Sequence, residues 1–370
     1  MRKEGEAVVS IVIPTYNEGE NVFRVTRRIM SALGNQEFEI VFVDDSTDDS
    51  GRLFERLPEL FPSMVLHWLH RNNERGLGTA VVEGIRKATH DFIVVLDADL
   101  QHPPEMIPSM IQALNQGADI VIPSRFVPGG SDGGLSPLRK LASTAARWTA
   151  KITLPRIRLI TDPTSGFFAF RRTIVDVNKL HPIGWKILLE ILVKGDYQQV
   201  KELPYSFATR EKGASKFSMK EQWNYLRHLI QLIRHDPRSV RPFLFAAIGA
   251  TGVAVNTGAY LFSLHVGVSP MVSSAVAAII AMISNFVLND EITWRTARRG
   301  MKHMRALKFF ATSCLGVLIN LILLNVGLTV WKLDPLWANW LGIGMASIGN
   351  YLVSNYWTWK SNSEQKEVIV

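Results

Sequence analysis

The last third of this sequence contains four long stretches without a charged side chain. No Asp, Glu, Lys or Arg occurs within 242–264, 270–288, 309–331 or 336–359. Each stretch is close to the roughly 20 residues that an α-helix needs to cross the hydrocarbon core of a bilayer. One such stretch can also be a buried helix of a soluble protein, but four in succession indicate a membrane domain. We therefore predict an all-α transmembrane domain of four helices.

The basic residues that border these stretches predict how the domain is oriented. Arg and Lys are concentrated before the first stretch and between the second and the third, whereas the other two connections hold one lysine between them. By the positive-inside rule, the basic segments and both termini face the cytoplasm. This placement accounts for much of the net charge of +8, because basic residues at a membrane surface interact favourably with anionic lipid. We expect no nucleic-acid partner. The charged N-terminus does not resemble a secretory signal.

The membrane domain repeats itself. The run 284–294 (SNFVLNDEITW) aligns with 349–359 (GNYLVSNYWTW), so that Asn285 matches Asn350 and Trp294 matches Trp359. Two copies of a helical hairpin explain this spacing. We expect the two tryptophans to lie in the aromatic belt at the membrane interface. For the asparagines within the spans we favour hydrogen bonding between helices, and the alternative is a path for a lipid.

The first half of the chain alternates short apolar runs with amphipathic ones. Strands are predicted at 8–14, 39–43, 64–69, 92–96 and 120–123, and helices between them at 18–33, 48–57, 78–89 and 104–115. Apolar strands separated by helices indicate a parallel sheet with both faces covered, in an α/β domain. The one cysteine, Cys314, excludes an intrachain disulfide, and no Cys/His cluster has the spacing of a zinc site.

Polar residues follow the predicted strands, at the end of the sheet where α/β proteins bind ligands. Asp97 and Asp99 flank one residue after the fourth strand, and Gln101 adds a carbonyl oxygen. Oxygen ligands of this kind select hard cations, so we predict Mg²⁺ or Mn²⁺ at these three residues. The run 76–78 (GLG) opens a helix whose amides can meet a phosphate, but a flexible helix start is the favoured interpretation.

The chain resembles a known family in several motifs. The runs IPTYNE (13–18), VDD (43–45), DAD (97–99) and DPTSGF (162–167) are similar to those of inverting family 2 glycosyltransferases with the Rossmann-like GT-A fold. With Arg210 and Lys216 downstream, the chain resembles in particular the subfamily that makes dolichyl phosphate mannose. The repeated membrane half is similar to GtrA-type four-helix domains. The run DDSTD (44–48) departs from the family pattern, which has glycine after the paired aspartates.

The resemblance implies donor-binding roles for the matched positions: Pro14, Tyr16, Glu18, Val43 and Asp45 at the base and ribose, with Asp44 nearby, Asp97 and Ala98 at the nucleotide sugar, and Arg125, Arg210 and Lys216 at the donor or its diphosphate. It also implies that Asp99 and Gln101 bind the metal. Purely structural roles are the alternatives: Asp44 and Asp45 can cap a helix, and Arg125 can form a surface ion pair.

The reaction implied is transfer of mannose from GDP-mannose to dolichyl (polyprenyl) phosphate in the membrane. The acceptor phosphate is already anionic near neutral pH, so we assign no strong general base, and Asp99, Arg125, Arg210 and Lys216 are the candidate catalytic groups. Arg139 and Ser143, in the basic amphipathic segment 136–150, are candidates for holding the acceptor phosphate. Lys140 competes for this role, and Arg139 can also be a solvated residue at a helix start.

The sequence predicts four segments along the chain. We expect a catalytic domain over 1–217, an amphipathic interface helix and linker over 218–241, the membrane domain over 242–360 and a cytoplasmic tail over 361–370. In the interface helix, Trp223, Leu226, Ile230 and Ile233 recur at helical spacing; packing on the soluble domain is the alternative. The loop 210–216 is predicted to close over the donor, or else is a solvated connection.

Other functions stay open on the sequence alone. The strand-end residues do not distinguish guanine from uracil, so a polyprenyl-phosphate glucosyltransferase that uses UDP-glucose is the nearest alternative. A processive polysaccharide synthase is disfavoured, because its Gln-x-x-Arg-Trp element does not occur. A transporter or lipid flippase with a regulatory sugar-binding domain is a third possibility, which the charge-free spans disfavour because they hold no ionisable relay.

Overall fold

The structure is a computed structural model that describes residues 9–62, 64–72, 76–133, 137–208, 219–298 and 300–359. The side chains of Leu138 and Arg139 lie outside this description. The chain divides between Asp236 and Pro237 into two compact units. The first is an α/β domain and the second is helical.

The first unit is built on a seven-stranded sheet in the order β3-β2-β1-β4-β6-β5-β7. Strand β6 is antiparallel to both of its neighbours, and the other pairings are parallel. The strands are β1 (Val9–Thr15), β2 (Phe38–Asp44), β3 (Val65–His70), β4 (Phe92–Val95), β5 (Ile120–Ser124), β6 (Phe168–Arg171) and β7 (Val200–Pro204).

Seven helices belong to this unit among its described residues. They are α1 (Asn21–Leu33), α2 (Ser50–Leu60), α3 (Leu77–Lys87), α4 (Ile107–Asn115), α5 (Pro137–Thr153), α6 (Ile187–Lys194) and α7 (Met219–His235). The five predicted strands and four predicted helices of the first 125 residues are present, with ends that shift by up to three residues.

The inner strands of the sheet are buried on both faces, which explains their continuous apolar runs, whereas the edge strands β3 and β7 are partly exposed. Successive residues of β1 alternate between two hydrophobic cores: Ile11 packs with one and Val12 with the other. Helix α3 lies very close to β1, because a Cβ at Gly84 would collide with Cγ1 of Val12. The glycine therefore sets the distance between this helix and the sheet.

The five predicted strands share one direction, as expected, but β6, which the sequence did not predict, makes the sheet mixed. Strand β6 runs antiparallel between β4 and β5, where Phe168 pairs with Val95 and Phe170 with Ile120. Its place and direction are set by pairing to strands that are distant along the chain, which no local pattern shows. The sheet is therefore mixed, and its remaining strands keep a common direction.

Helix α7 combines the two interpretations offered for its sequence. One face, which includes Tyr225, His228 and Leu232, is buried in the α/β unit. Trp223 is 59% exposed, and Leu226 and Ile230 are exposed beside it. The fourth residue of the predicted apolar face, Ile233, instead packs against the core of the domain. The helix thus docks on the soluble unit and still presents an apolar stripe.

The second unit consists of α8 (Pro237–His265), α9 (Pro270–Leu288), α10 (Lys302–Thr329) and α11 (Pro335–Val353). Among the described residues, three helices are long and apolar enough to cross a membrane: α8, α9 with the turn that follows it, and α10. Helix α11 occupies the fourth predicted span over 19 residues. Asn339, Asn350 and several tryptophans reduce its hydropathy, so three of the four predicted spans meet this criterion of length and composition.

The internal repeat is visible in the structure. A π-helical turn follows α9 at Asn289–Thr293, and another follows α11 at Ser354–Thr358, 65 residues later. The indole N–H of Trp359 donates to Asp290 Oδ1 at 2.8 Å, and that of Trp294 donates to Asn355 Oδ1 at 3.3 Å. Each hairpin thus supplies the acceptor for the indole of the other.

The matched tryptophans are not part of an aromatic belt. Trp294 and Trp359 are buried and stack in parallel, with ring centroids 4.2 Å apart. The belt interpretation is therefore wrong for this pair, because belt residues face lipid headgroups. Their energetic role is to join the two hairpins.

The asparagines of the repeat pack against glycines of neighbouring helices. A Cβ added at Gly252 would lie about 2.5 Å from the Asn285 side chain and would collide with it. A Cβ added at Gly316 would collide with the Asn350 side chain in the same way. In the described part of the chain, Oδ1 of Asn285 and of Asn320 is buried without a hydrogen-bond partner. The expected interhelical hydrogen bonds are therefore not made by these two acceptor atoms.

Candidate active site

The carboxyl ends of β1, β2, β4 and β5 open into one cavity of about 690 Å³. Every wall of this cavity comes from the first unit. Ten residues singled out in the sequence line it, and they are Pro14, Tyr16, Glu18, Asp45, Asp97, Ala98, Asp99, Gln101, Arg125 and Ser143. Parallel strands bring these distant positions together, as expected for an α/β sheet.

Two of the described site residues, Val43 and Asp44, do not line the cavity. Val43 is fully buried within β2. Asp44 is also fully buried, and its carboxylate accepts hydrogen bonds from Thr15 Oγ1 at 2.9 Å and from Ser46. Its other oxygen lies 2.8 Å from His70 Nδ1. Asp44 therefore holds the loop after β2 in shape and, since α2 begins only at Ser50, does not cap that helix.

Three predicted residues fall beyond the described part of the chain. Arg210 and Lys216, with the predicted lid over 210–216, lie outside the described residues, as does the side chain of Arg139. Their roles stay predictions.

The turn after β4 carries the predicted metal-binding residues. Leu100 adopts a left-handed conformation with φ +62°, which is uncommon for a residue other than glycine. This turn lets the Gln101 amide donate to Asp99 Oδ1 at 3.1 Å. The Gln101 side chain donates through Nε2 to the carbonyl of Ala208 at 3.1 Å, which directs the amide group and sets the position of Oε1.

The oxygen set of this turn fits a hard divalent cation. Asp97 and Asp99 both line the cavity, and Asp99 is only 7% exposed, so a bound cation would offset the cost of a buried carboxylate. Among the described residues, no group of three or more His, Cys, Asp or Glu side chains could hold a metal alone. Mg²⁺-type sites often combine one or two carboxylates with substrate phosphates and water. The turn fits a site that a phosphate ligand completes.

Asp45 is held by a residue that the sequence reasoning missed. Arg71 donates through Nε and Nη2 to the two oxygens of Asp45, at 2.7 and 2.6 Å, and the Gly76 amide donates to Asp45 Oδ2 at 3.0 Å. The Gly78 amide donates to the Gly184 carbonyl at 3.0 Å. These amides are therefore used within the protein, and the phosphate interpretation of the run 76–78 is not supported. Arg71 was missed because no motif marks it in the polar segment after β3.

Arg125 forms a buried ion pair with Asp162. Its Nε and Nη2 contact Oδ2 and Oδ1 at 2.7 and 3.0 Å. Burial alone would lower the pKa of Arg125, but the hydrogen bonds and charge of Asp162 outweigh it and raise that pKa. The pair is buried, so the surface ion-pair interpretation of Arg125 is wrong. Much of its positive charge is balanced inside the protein.

Lys186 is a second cavity residue that the sequence reasoning missed. Its Nζ donates to the Thr164 carbonyl at 2.8 Å. Burial, and then the charge of Arg125, lower the pKa of Lys186 to about 8, with Asp162 and Asp97 acting in the opposite direction. A lone lysine before the apolar run of α6 offered no motif, and only the fold brings it to the cavity.

A small aromatic cluster closes the side of the cavity next to Asp97. His102 lies among Phe167, Tyr205 and Phe207, with ring centroids 5.3–6.0 Å from its own. Its Nδ1 is 3.3 Å from the Tyr205 hydroxyl and its Nε2 is 3.5 Å from Asp97 Oδ2. Burial raises the pKa of Tyr205 well above its ordinary value, so its hydroxyl stays protonated and can support the imidazole.

Two family models match the chain. Residues 10–177 match glycosyl transferase family 2, and residues 244–359 match the GtrA/DPMS transmembrane domain. The α/β fold and the cavity at its strand ends, together with these matches, define a membrane-bound glycosyltransferase.

Three relatives agree with this class, and one of them matches along nearly the whole chain. A dolichol-phosphate mannosyltransferase of Pyrococcus furiosus is 39% identical over 95% of this chain and 99% of its own length. Enzymes with the same name from Mycosarcoma maydis and Saccharomyces cerevisiae are 33% and 32% identical, over 65% and 60% of this chain and 83% and 86% of theirs. This chain belongs to glycosyl transferase family 2, in the branch of these relatives, and the resemblance seen in its motifs is confirmed.

A likeness also exists among solved structures. Glucosyl-3-phosphoglycerate synthase from Mycobacterium tuberculosis, solved with Mn²⁺, UDP-glucose and glycerol 3-phosphate, is 17% identical with a TM-score of 0.45. The match covers 61% of this chain and 79% of that one.

Proposed function

We propose that this glycosyltransferase moves mannose from GDP-mannose to the phosphate of dolichol or a related polyprenol. The main support is the similarity to a relative named dolichol-phosphate mannosyltransferase. The alignment covers 95% of this chain and 99% of that relative. An alignment of that extent includes both the catalytic cavity and the membrane unit. The products would be dolichyl phosphate mannose, with the anomeric centre inverted, and GDP.

The donor would lie across the strand ends. Pro14, Tyr16 and Glu18 follow β1, and Asp45 follows β2, where Arg71 fixes its carboxylate. These groups form the wall that would receive the nucleoside. A carboxylate already held by a guanidinium loses little freedom when a ligand binds, so its position favours recognition.

The diphosphate would lie beside the turn after β4. Asp97, Asp99 and the Gln101 side-chain oxygen would hold Mg²⁺ or Mn²⁺ there. When bound, such a cation offsets the negative charge that develops on the departing diphosphate. The chain's own contribution is to hold these oxygens in place before the substrate arrives, through the Leu100 turn and the contact of Gln101 with Ala208. Preorganised groups of this kind need no rearrangement during the reaction.

The acceptor phosphate would approach from the side of α5. Ser143 lines the cavity there, and exposed apolar residues of the same helix, Leu141, Trp148 and Ile152, offer a surface for lipid. The Tyr225 hydroxyl of α7 donates to the Ala146 carbonyl of α5 at 2.6 Å, which fixes the two amphipathic helices to each other. A phosphate is already a nucleophile near neutral pH, so this site needs no strong base.

The chain is a membrane protein, and we propose that its catalytic unit and both termini face the cytoplasm. The support is the cluster of basic residues before α8 and between α9 and α10. A cysteine-accessibility experiment on intact cells tests the orientation. A residue in the segment 295–302 should be protected from an impermeant reagent, and labelling from outside would contradict the proposal.

A donor comparison tests the reaction. Purified full-length protein in detergent is given a polyprenyl phosphate, Mn²⁺ and either GDP-mannose or UDP-glucose. We expect a mannolipid from GDP-mannose and no glucolipid from UDP-glucose. Use of UDP-glucose alone would establish the glucosyltransferase alternative. Transfer in detergent, without sealed compartments, would make a transport function unnecessary.

A further inference from the structure

Lys186 stands at the start of α6 with its ammonium group in the cavity. The helix that follows is anchored in the core, since Ile187, Leu188 and Leu189 are buried. Nζ contacts the Thr164 carbonyl at 2.8 Å and lies 5.0 Å from the centroid of the Trp185 ring. The backbone and two neighbours therefore fix where this positive charge lies.

The charge of Lys186 is not balanced by an acidic partner. In the part of the chain that the structure describes, no carboxylate lies within 4.0 Å of its Nζ. Among the described residues, the hydrogen bond to Thr164 is the only one that its Nζ makes, and an ammonium group has three N–H donors. A half-buried ammonium with free donors is costly unless an anion supplies acceptors.

The contrast with Arg125 shows why this matters for the cavity. Arg125 also lines it, but Asp162 already occupies two of its donors. Lys186 lies in the same charged group, and its charge is felt by Asp97 and Asp162 without a direct contact. Asp97 itself borders the Thr164–Gly166 side of the cavity, because a Cβ at Gly166 would lie 3.1 Å from Asp97 Oδ2. Of these two cations, Lys186 is the one whose charge contacts no carboxylate among the described residues.

We propose that Lys186 binds a phosphate oxygen of a substrate in this cavity. A lysine binds phosphate as a point charge and does not need the planar geometry that arginine requires. The proposal rests on the proposed function, which supplies two phosphate groups: the diphosphate of the nucleotide donor and the phosphate monoester of the lipid acceptor. The position of Lys186, near both Asp97 and the Arg125–Asp162 pair, is compatible with either.

Two titrations on the full-length protein distinguish the sources. The Kd of GDP in the presence of Mn²⁺ reports on the donor side, and the KM for polyprenyl phosphate at saturating GDP-mannose reports on the acceptor side. The variants are Lys186→Met, Lys186→Arg, which keeps the charge, and Lys87→Met, which removes a lysine from the solvent-exposed end of α3.

Loss of one charge-assisted hydrogen bond should weaken one of these constants by about tenfold or more in Lys186→Met. Lys186→Arg should stay within about threefold of the wild type, and Lys87→Met should be unchanged. A weaker GDP Kd assigns Lys186 to the donor, whereas a raised KM with unchanged GDP binding assigns it to the acceptor. Thermal unfolding of each variant serves as the control for folding. If Lys186→Met is unstable, Lys186→Gln takes its place.

Failure has two separable forms. If the wild type binds GDP and makes mannolipid while Lys186→Met and Lys186→Gln match it in both constants, the role of Lys186 is overturned and the proposed function stands. If the wild type neither binds GDP nor transfers mannose, both proposals fall.

Discussion

Arg125 and Asp162 face each other across the cavity edge in a two-pronged ion pair, with contacts of 2.7 and 3.0 Å. Asp162 is fully buried, and the Arg125 side chain is 8% exposed. The pair joins the end of β5 to the loop before β6. It thereby fixes the boundary of the cavity between the strand ends and the side of α5.

Removing one partner of this pair should destabilise the first unit strongly. Arg125→Ala leaves a buried carboxylate without compensation, which costs about 3–5 kcal/mol. We expect the melting temperature of the α/β unit to fall by about 6 °C or more. In Arg125→Ala/Asp162→Asn the stranded charge is removed, so part of the loss should be recovered. Equal melting temperatures for the single and double variants would contradict a buried, coupled pair.

The close approach of α3 to β1 predicts a paired effect. Gly84→Ala places a methyl group against Val12 Cγ1, and overpacking of this kind costs about 1–3 kcal/mol. Val12→Ala alone should also destabilise, because it opens a cavity. The double variant Gly84→Ala/Val12→Ala should lose less than the sum of the two, since each change relieves the other. Denaturant or thermal unfolding of the three variants checks this, and strict additivity would count against it.

Glu190 should contribute to stability in a way that depends on pH. Burial alone would raise the pKa of Glu190, but hydrogen bonds from His228, from Lys194 and from the His181 amide hold it below its ordinary value of 4.5. A carboxyl whose pKa is lowered by folding stabilises the protein above pH 4.5, and this stabilisation is lost as the pH falls through the folded-state pKa.

Glu190→Gln tests that contribution. The variant should be less stable than the wild type at pH 7, and its stability should fall less steeply between pH 5 and pH 3. Melting temperatures across this range provide the measurement, with Glu59→Gln on the exposed face of α2 as the control. Parallel curves for wild type and Glu190→Gln would show that Glu190 is not the group responsible.

The two repeat-related indoles should differ in importance. Trp359 donates at 2.8 Å to Asp290, which Arg305 also contacts at 2.7 Å, whereas Trp294 donates at 3.3 Å to neutral Asn355. A hydrogen bond to a charged group is worth more than one between neutral groups. Trp359→Phe should therefore lower the melting temperature of the detergent-solubilised protein more than Trp294→Phe does. The reverse order would contradict the assignment.

The sequence predicts the parts of the fold that depend on local pattern. Apolar runs define β1 to β5, and charge-free runs define α8 to α10, because burial of a strand or contact with lipid leaves a continuous signature. The strand β6 leaves none, since four residues gain their conformation from pairing with β4 and β5. The burial of Trp294 and Trp359 could not be predicted for the same reason, because it depends on how two hairpins pack.

The candidate site divides in the same way. Residues that directly follow strands, such as Asp97 and Asp99, could be found from the sequence because parallel strands gather their ends. Arg71 and Lys186 could not be found in this way, because each is held in place by a contact with a residue that is distant along the chain. Asp44 differs from both groups: its place in a motif suggests contact with the nucleotide, and in the structure it is fully buried and bonded to Thr15 and His70.

The central claim is that oxygens of the turn after β4 hold a divalent cation that binds the donor diphosphate. Isothermal titration of GDP into the full-length protein, with Mn²⁺ and with a chelator, tests it directly, using Asp99→Asn and the exposed control Glu59→Gln. We predict that Mn²⁺ tightens GDP binding by about tenfold or more in the wild type and in Glu59→Gln, the scale of one strong charged contact, and has no effect in Asp99→Asn. Equal GDP affinity in the wild type with Mn²⁺ and with chelator would contradict the account.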